Sequence, residues 1–298
     1  MKSIGDIVRE ASRRGRKRVA VAAAGEASVL LAVVEAWRLG FAEPVLVGDA
    51  EVIDSLGAGL GLGLSRFERV RAGSAREAAA AAVRLVRSGE ADFLMKGLVE
   101  TSVLLVAAFN KETGINAGVL ASHVEVLETA AYHKLLFVTD AAINVAPGVD
   151  AKLDIVANAA RAARSLGAER PKVAVLAALE KVTDKMPATG EAAEVARLCR
   201  EGRVPGCAVE GPLSLDCAIS RESARVKGLS SEVAGDADIL VAPDIEAGNV
   251  LCKSLLDLGG AKGAGIVMGA AAPIVMASRS DGAGTKLASI AFAALASK

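Results

Sequence analysis

The segment VAGDADILVAPDIEAGN, residues 233–249, decides the fold. Ile239 to Ala242 is a short apolar run without polar alternation, the pattern of a strand covered on both faces. Pro243 ends its ladder, because proline has no N–H to donate. Asp244, Glu246 and Asn249 gather where the next helix is expected to begin. In open α/β sheets ligands bind outside the carboxyl ends of the strands. The segment therefore predicts a strand, a helix and a site between them.

The same alternation extends outward in both directions. Strands are predicted at Arg18–Ala24, Pro44–Gly48, Asp92–Met95, Leu135–Thr139, Lys172–Ala177, Cys207–Glu210 and Ala264–Met268. Helices are predicted at Ala27–Leu39, Ala75–Arg87, Lys152–Leu166, Leu251–Leu258 and Thr285–Ala296. Parallel strands need helical crossovers, so the fold class is α/β, with mostly parallel sheets and helices on both faces. One stretch differs. Between Gly118 and Glu128, His123, Glu125 and Glu128 interleave with Val124, Val126 and Leu127, which predicts a less buried, antiparallel strand. Pro147-Gly148 marks a turn and a domain boundary between Asn144 and Asp150.

The chain of 298 residues has room for one large or two ordinary domains. Its 52% hydrophobic residues permit a sizeable core, built mainly from Ala, Val, Leu and Ile because only 3% are aromatic. Lys plus Arg and Asp plus Glu are 35 each, a balance that argues against wholesale nucleic-acid binding. The charged stretch Asp6–Arg18 does not fit a signal peptide. The longest apolar run, Gly263–Ala277, is broken by Pro273 and falls short of the ~20 residues of a membrane helix. A cytoplasmic protein with no membrane or nucleic-acid partner is expected. Cys199, Cys207, Cys217 and Cys252 form no C-x-x-C pair and read as reduced, structural thiols. His123 and His133 lack a metal-ligand spacing.

Four polar clusters follow predicted strands. In the first, Lys96 supplies a cation, Gly97 permits close backbone approach, and Thr101 and Ser102 can donate from a helix start. A capped helix with an exposed lysine explains it equally well. The second holds Asp140 and Asn144, where an acid ending a strand is also a common N-cap. The third is the opening segment, with Asp244 and Asn249. The fourth is Ser278-Arg279-Ser280-Asp281, where a forked guanidinium and a helix start suit an oxyanion and a surface turn is the plain alternative. No phosphate loop, nucleophile elbow or dinucleotide fingerprint is present; Gly61-Leu62-Gly63 lacks the third glycine.

These residues make the chain resemble the phosphate acetyl/butyryltransferase family, and within it the butyryl branch. The matching segments are FLMKGLVETS (93–102), LLFVTDAAINVAP (135–147), EKVTDKMPATGEA (180–192), EGPLSLDCAIS (210–220), VAGDADILVAPDIEAGNVLCKSL (233–255) and APIVMASRSD (272–281). The resemblance implies a two-domain, isocitrate/isopropylmalate-dehydrogenase-like fold, with residues 1–146 plus 271–298 in one domain and 147–270 in the other. It places the site in the cleft between them and implies a homodimer. It also implies the reaction: acyl-CoA plus inorganic phosphate gives acyl phosphate plus CoA, by direct attack in a ternary complex. Coenzyme A is then a substrate, and no metal or tightly bound cofactor is expected.

On this reading Ser278 and Arg279 meet the phosphate and the developing oxyanion. Asp281 is the nearest acid for a base. Lys96, Gly97, Thr101, Ser102, Asp140, Asn144, Asp244 and Asn249 contribute to substrate binding or to the architecture around it. The chain departs from the family in carrying Val106 and Asn116 where butyryl-type relatives have arginines. It also has Gly284 and Thr285 where acetyl-type relatives have a carboxylate. Alternatives are phosphate acetyl transfer, a metal- and NAD-dependent dehydrogenase of the same fold, and a non-catalytic CoA-binding relative.

Overall fold

The computed structural model describes residues 1–297, and the predicted alternation runs through most of them. The chain starts with α1 (Ile4–Arg14), which its charged sequence did not announce; Ile4, Ile7 and Ala11 form its one buried stripe. Then follow β1 (Lys17–Ala22), α2 (Ala27–Arg38), β2 (Ala42–Gly48), α3 (Ala50–Gly59), β3 (Glu68–Arg71), α4 (Ala75–Arg87), β4 (Phe93–Lys96) and α5 (Thr101–Ala108). Short polar side chains set two of the helix starts. Asp49 accepts the Glu51 amide at 2.9 Å, and Ser74 accepts the Glu77 amide at 3.2 Å. Glu77 reaches back to the Gly73 amide at 2.9 Å, which closes a reciprocal cap.

The middle of the chain supplies β5 (Ser122–Glu128), β6 (Leu136–Thr139), α6 (Val149–Ser165), β7 (Lys172–Leu176), α7 (Pro187–Arg200), β8 (Ala208–Leu213), the short α8 (Leu215–Ile219) and α9 (Arg221–Val226), β9 (Ile239–Val241) and α10 (Ile245–Lys253). Its strands lie in the order β5-β6-β9-β7-β8. The β5–β6 pair is antiparallel and the others are parallel. Asp238 locks the register by accepting the Lys172 amide at 2.8 Å. Leu136, Val138, Leu176, Leu213, Val233 and Leu240 pack in its core. Burying each such side chain contributes about 1.5–3 kcal/mol.

The predicted antiparallel strand is present as β5, but the expectation that it is less buried is corrected. His123 and Glu125 are 7% and 8% exposed. They lie two residues apart on one face, with Nε2 and Oε2 3.6 Å from each other. Placed side by side, the two polar groups face each other inside, where an isolated polar group would be costly.

The chain then forms β10 (Lys262–Met268), β11 (Ile274–Val275) and α11 (Ala283–Ala296). The strands of the end unit lie in the order β3-β2-β1-β4-β11-β10. β11 is parallel to β4 and antiparallel to β10. Phe41, Leu46, Phe93, Leu94 and Met95 from the strand side and Leu30 and Phe292 from α2 and α11 are fully buried.

Two compact units result, one formed by Ile4–Val119 with the stretch from Ala264 onward, the other by Leu120–Gly263 with Met1–Ser3. The division falls at 119/120 and 263/264, where the sequence suggested 146/147 and 270/271. Pairing of β5 with β6 carries the residues from Leu120 onward into the middle unit. Among the described residues no helix is long and apolar enough to cross a membrane.

Candidate active site

The end unit brings two of the predicted clusters together. β4 and β11 are neighbours, so Lys96 at the end of one stands near the turn that follows the other. Lys96 is only 7% exposed. Burial lowers its pKa from the ordinary 10.5; Arg279 and Lys286 push the same way, while Glu26 and Asp281 oppose them. Three cations and two carboxylates therefore share one neighbourhood.

The turn itself is closely tied. Asp281 Oδ2 accepts the Ser278 backbone N–H at 2.6 Å, and Ser278 O accepts the Asp281 N–H at 3.1 Å. The Ser278 and Ser280 hydroxyls are 2.9 Å apart. Arg279 is exposed and makes no hydrogen bond or ion pair among the described residues. The turn leads into α11, whose N-cap Gly282 offers no side-chain cap, so the helix starts with unsatisfied amides.

Sequence reasoning missed two members of this group. Lys286, 2% exposed, donates from Nζ to Ser278 O at 3.1 Å and to Asp281 O at 2.6 Å. The same ammonium lies 3.3 Å from Glu26. A signal was available, since Lys286 is the one charged residue in the apolar helix AGTKLASIAFAALA.

Gly97 is required by the protein's own backbone. A Cβ there would lie 2.3 Å from Ala23 O and 2.7 Å from Ala22 O. Its amide donates to Ala22 O at 2.9 Å, and the Leu98 amide donates to Ala23 O at 2.7 Å. The close approach is to the protein's own β1 end. Thr101 and Ser102 are exposed at the start of α5, after Glu100, which gives no side-chain cap. Ser102 also lines a cavity of about 540 Å³ with Arg76, Arg84, Val103 and Val106.

In the middle unit Asp140, Asn144, Asp244 and Asn249 come together around one loop. Asp140, 2% exposed, accepts the amides of Ala142 at 2.9 Å, Ile143 at 3.1 Å and Asn144 at 3.2 Å, and the Asn144 side chain at 2.6 Å. Asn144 also donates to Ala121 O, Asn249 to Ala141 O, and Asp244 caps α10 at the Ala247 amide. A Cβ on Gly248 would sit 2.4 Å from Asp140 O, so α10 packs directly on this loop. These four side chains bond the protein's own backbone and one another.

Other chemically suggestive groups are occupied by structure. Glu180, Asp216 and Cys217 could together face a metal. The Lys227 ammonium, 2.8 Å from Glu180 and 3.2 Å from Asp216, already supplies a cation there. Burial pushes the Cys199 thiol up to about 12 and raises that of Cys252 as well, which keeps both from acting as thiolates.

Fold and side chains together define an α/β protein with a candidate anion site at the strand ends of one unit. The sequence profile of the family described as Phosphate acetyl/butaryl transferase matches residues 65–294, and the chain belongs to that family. It is 44% identical over 295 residues to the phosphate butyryltransferase of Clostridium acetobutylicum, covering 99% of this chain and 98% of that one. Other relatives carry the name phosphate acetyltransferase. Among solved structures, a branched-chain phosphotransacylase from Enterococcus faecalis V583 superposes with a TM-score of 0.82 at 33% identity, over 94% of this chain and 98% of that one. A 4-hydroxythreonine-4-phosphate dehydrogenase from Burkholderia phymatum shares the fold alone, with a TM-score of 0.60 at 16% identity over 95% and 98% of the two chains. The expected dehydrogenase-like architecture is therefore present.

Proposed function

We propose that this protein is an enzyme that moves a short acyl group, butyryl in the first instance, between coenzyme A and inorganic phosphate. The observation that carries this reading is the Ser278–Asp281 turn, which holds Arg279 beside the buried Lys96 and without a hydrogen-bond or ion-pair partner among the described residues. A forked guanidinium, an ammonium and free helix amides suit a phosphate dianion. The same donors suit the oxyanion that forms when phosphate oxygen attacks the thioester carbon.

In that direction the O–C bond forms, the C–S bond breaks, and CoA leaves as a thiolate that takes up a proton. In reverse, the CoA thiol loses its proton and attacks the acyl phosphate carbon. A free thiol has a pKa of about 8.5, so a base is useful near neutrality. Asp281 is our candidate. One of its oxygens holds the Ser278 amide, and Oδ1 accepts no hydrogen bond among the described residues. Lys96 supplies charge, Thr101 and Ser102 offer hydroxyls at a helix start, and Gly97 shapes the strand end. Asp140, Asn144, Asp244 and Asn249 maintain the loop architecture of the middle unit. No tightly bound cofactor is part of the scheme, and a cytoplasmic homodimer completes the proposal.

The test is phosphate-dependent release of free thiol from butyryl-CoA and acetyl-CoA. Faster release from butyryl-CoA supports the reading. Faster release from acetyl-CoA makes the protein a phosphate acetyltransferase, a reading the names of several relatives favour. CoA binding without thiol release would overturn both.

A further inference from the structure

We propose that Lys286 is the positioning residue of the Ser278–Asp281 turn, fixing its two end carbonyls so that Arg279 and the turn's hydroxyls are preset for the anion. This rests on the reading of that turn as the phosphate and oxyanion site.

Lys286 stands in the first turn of α11 and is 2% exposed. An ammonium has three N–H donors. Here three acceptors surround it: Ser278 O at 3.1 Å, Asp281 O at 2.6 Å and the Glu26 carboxylate at 3.3 Å. Glu26 is itself oriented, since the same oxygen accepts the Ser28 hydroxyl at 2.5 Å. A buried charge is tolerated only when paired and hydrogen-bonded, and this one meets both conditions.

The two carbonyls bracket Arg279 and Ser280. Lys286 thus ties both ends of the segment to one charged point, which Glu26 anchors from the loop after β1. The remaining bonds of the turn run between Ser278 and Asp281, at 2.6 and 3.1 Å, and between Ser278 and Ser280, at 2.9 and 3.4 Å. Among the described residues Arg279 has no hydrogen-bond or ion-pair partner. With two donors on the turn's carbonyls, its charge paired with Glu26 and its side chain buried, Lys286 acts on an anion through the turn and not by contact. Lys286 has acceptors at both ends of the Ser-Arg segment.

The experiment compares the wild-type enzyme with Lys286→Met, Lys286→Arg and the neutral pair Glu26→Gln/Lys286→Met. The neutral pair leaves no unpartnered charge and carries the test even where Lys286→Met alone fails to fold. Two readouts are taken: kinetics with phosphate and butyryl-CoA each varied, and amide hydrogen exchange at Ser280 and Asp281. The neutral pair is expected to lose about 100-fold in kcat/KM for phosphate, the scale of a small misplacement of a reacting group, with the KM for butyryl-CoA unchanged. The Asp281 amide should exchange faster, and Lys286→Arg should recover part of both losses. A folded neutral pair with wild-type kcat/KM for phosphate and unchanged exchange overturns the role of Lys286. Wild-type protein that releases no thiol overturns the acyl-transfer reading instead, and exchange at Asp281 then still decides whether Lys286 holds the turn.

Discussion

Asp281 accepts the backbone N–H of Ser278 at 2.6 Å, so the acid closes the very turn on which Arg279 sits. The turn is shaped by its own ends and leaves its guanidinium uncommitted. A donor held in place before the substrate arrives costs no reorganisation at the moment of reaction. That relationship makes the Ser-Arg pair a better candidate for contact with the transferring groups than the acid-rich strand end at Asp244.

Arg279→Ala removes the uncommitted guanidinium and nothing that holds the turn. Loss of one such donor typically lowers kcat by about 100- to 1,000-fold. The expected outcome is a loss of that order in kcat/KM for phosphate, with a thermal midpoint close to wild type because the side chain is exposed. Arg279→Lys should recover only part, since a point charge lacks the fork. Wild-type kinetics in Arg279→Ala would remove the turn from the mechanism.

Asp281→Asn separates the acid's two roles. The amide oxygen of Asn can still accept the Ser278 N–H, so the turn should survive and the unfolding midpoint should change little. The ability to take a proton is lost. If Asp281 is the base, kcat in the thiol-consuming direction falls by about 100-fold or more. Full activity at every pH would leave Asp281 as a turn-closing residue only.

The legible parts of the molecule were those written as local pattern. The apolar run Ile239–Ala242 appears as β9 over Ile239–Val241, and the helix expected at Asp244 starts there as α10. By contrast, β3 has the sequence ERVR and lies at the edge of its sheet, so no apolar run announced it. α1 buries only three of its eleven residues, too thin a stripe beside so much charge. Gly97 was legible as a point of close approach, but not as to what approaches, because β1 and β4 become neighbours only in the fold. Lys286 stood out as one charge in an apolar helix. Its partner Glu26 lies at the other end of the chain, and no spacing rule connects them.

Asp140→Ala tests whether the middle-unit cluster is architecture. Four donors lose a buried charged acceptor at once. Each unsatisfied buried group costs about 1–3 kcal/mol, with partial relaxation of an exposed loop offsetting some of it. A destabilisation of about 3 kcal/mol in urea unfolding is expected. A fully stable Asp140→Ala protein with poor substrate binding would instead make Asp140 a substrate ligand.

Lys96 gives the site a pH dependence. Its folded pKa lies below the ordinary 10.5, chiefly through burial and then through Arg279. As pH rises it therefore loses its proton earlier than a free lysine, and with it a charge that attracts phosphate. Phosphate affinity should fall along an alkaline limb that begins below pH 10.5. Lys96→Arg stays protonated throughout. That variant should show the limb displaced upward, measured as KM for phosphate against pH. An identical limb in both proteins would assign the titration to another group.

Glu180 provides a stability test away from the proposed site. Hydrogen bonds from Lys227 and then Ser214 hold its carboxyl at about 2, against an ordinary 4.5. The folded carboxyl is thus the weaker proton binder. Its contribution is fully present above pH 4.5 and is lost as the pH falls from there towards 2. Lys227 shifts upward through the same pair, so it remains charged across that whole acid window. Lys227→Met should lower stability at neutral pH, and the gap from wild type should shrink between pH 4.5 and 2 and close below that. The effect is expected to be modest, because Lys227 is 40% exposed and solvent screens the pair. Urea midpoints of both proteins, taken at neutral pH and in steps down to about pH 2, measure the gap directly. A gap of constant size over that range would mean that Lys227 contributes packing and not charge.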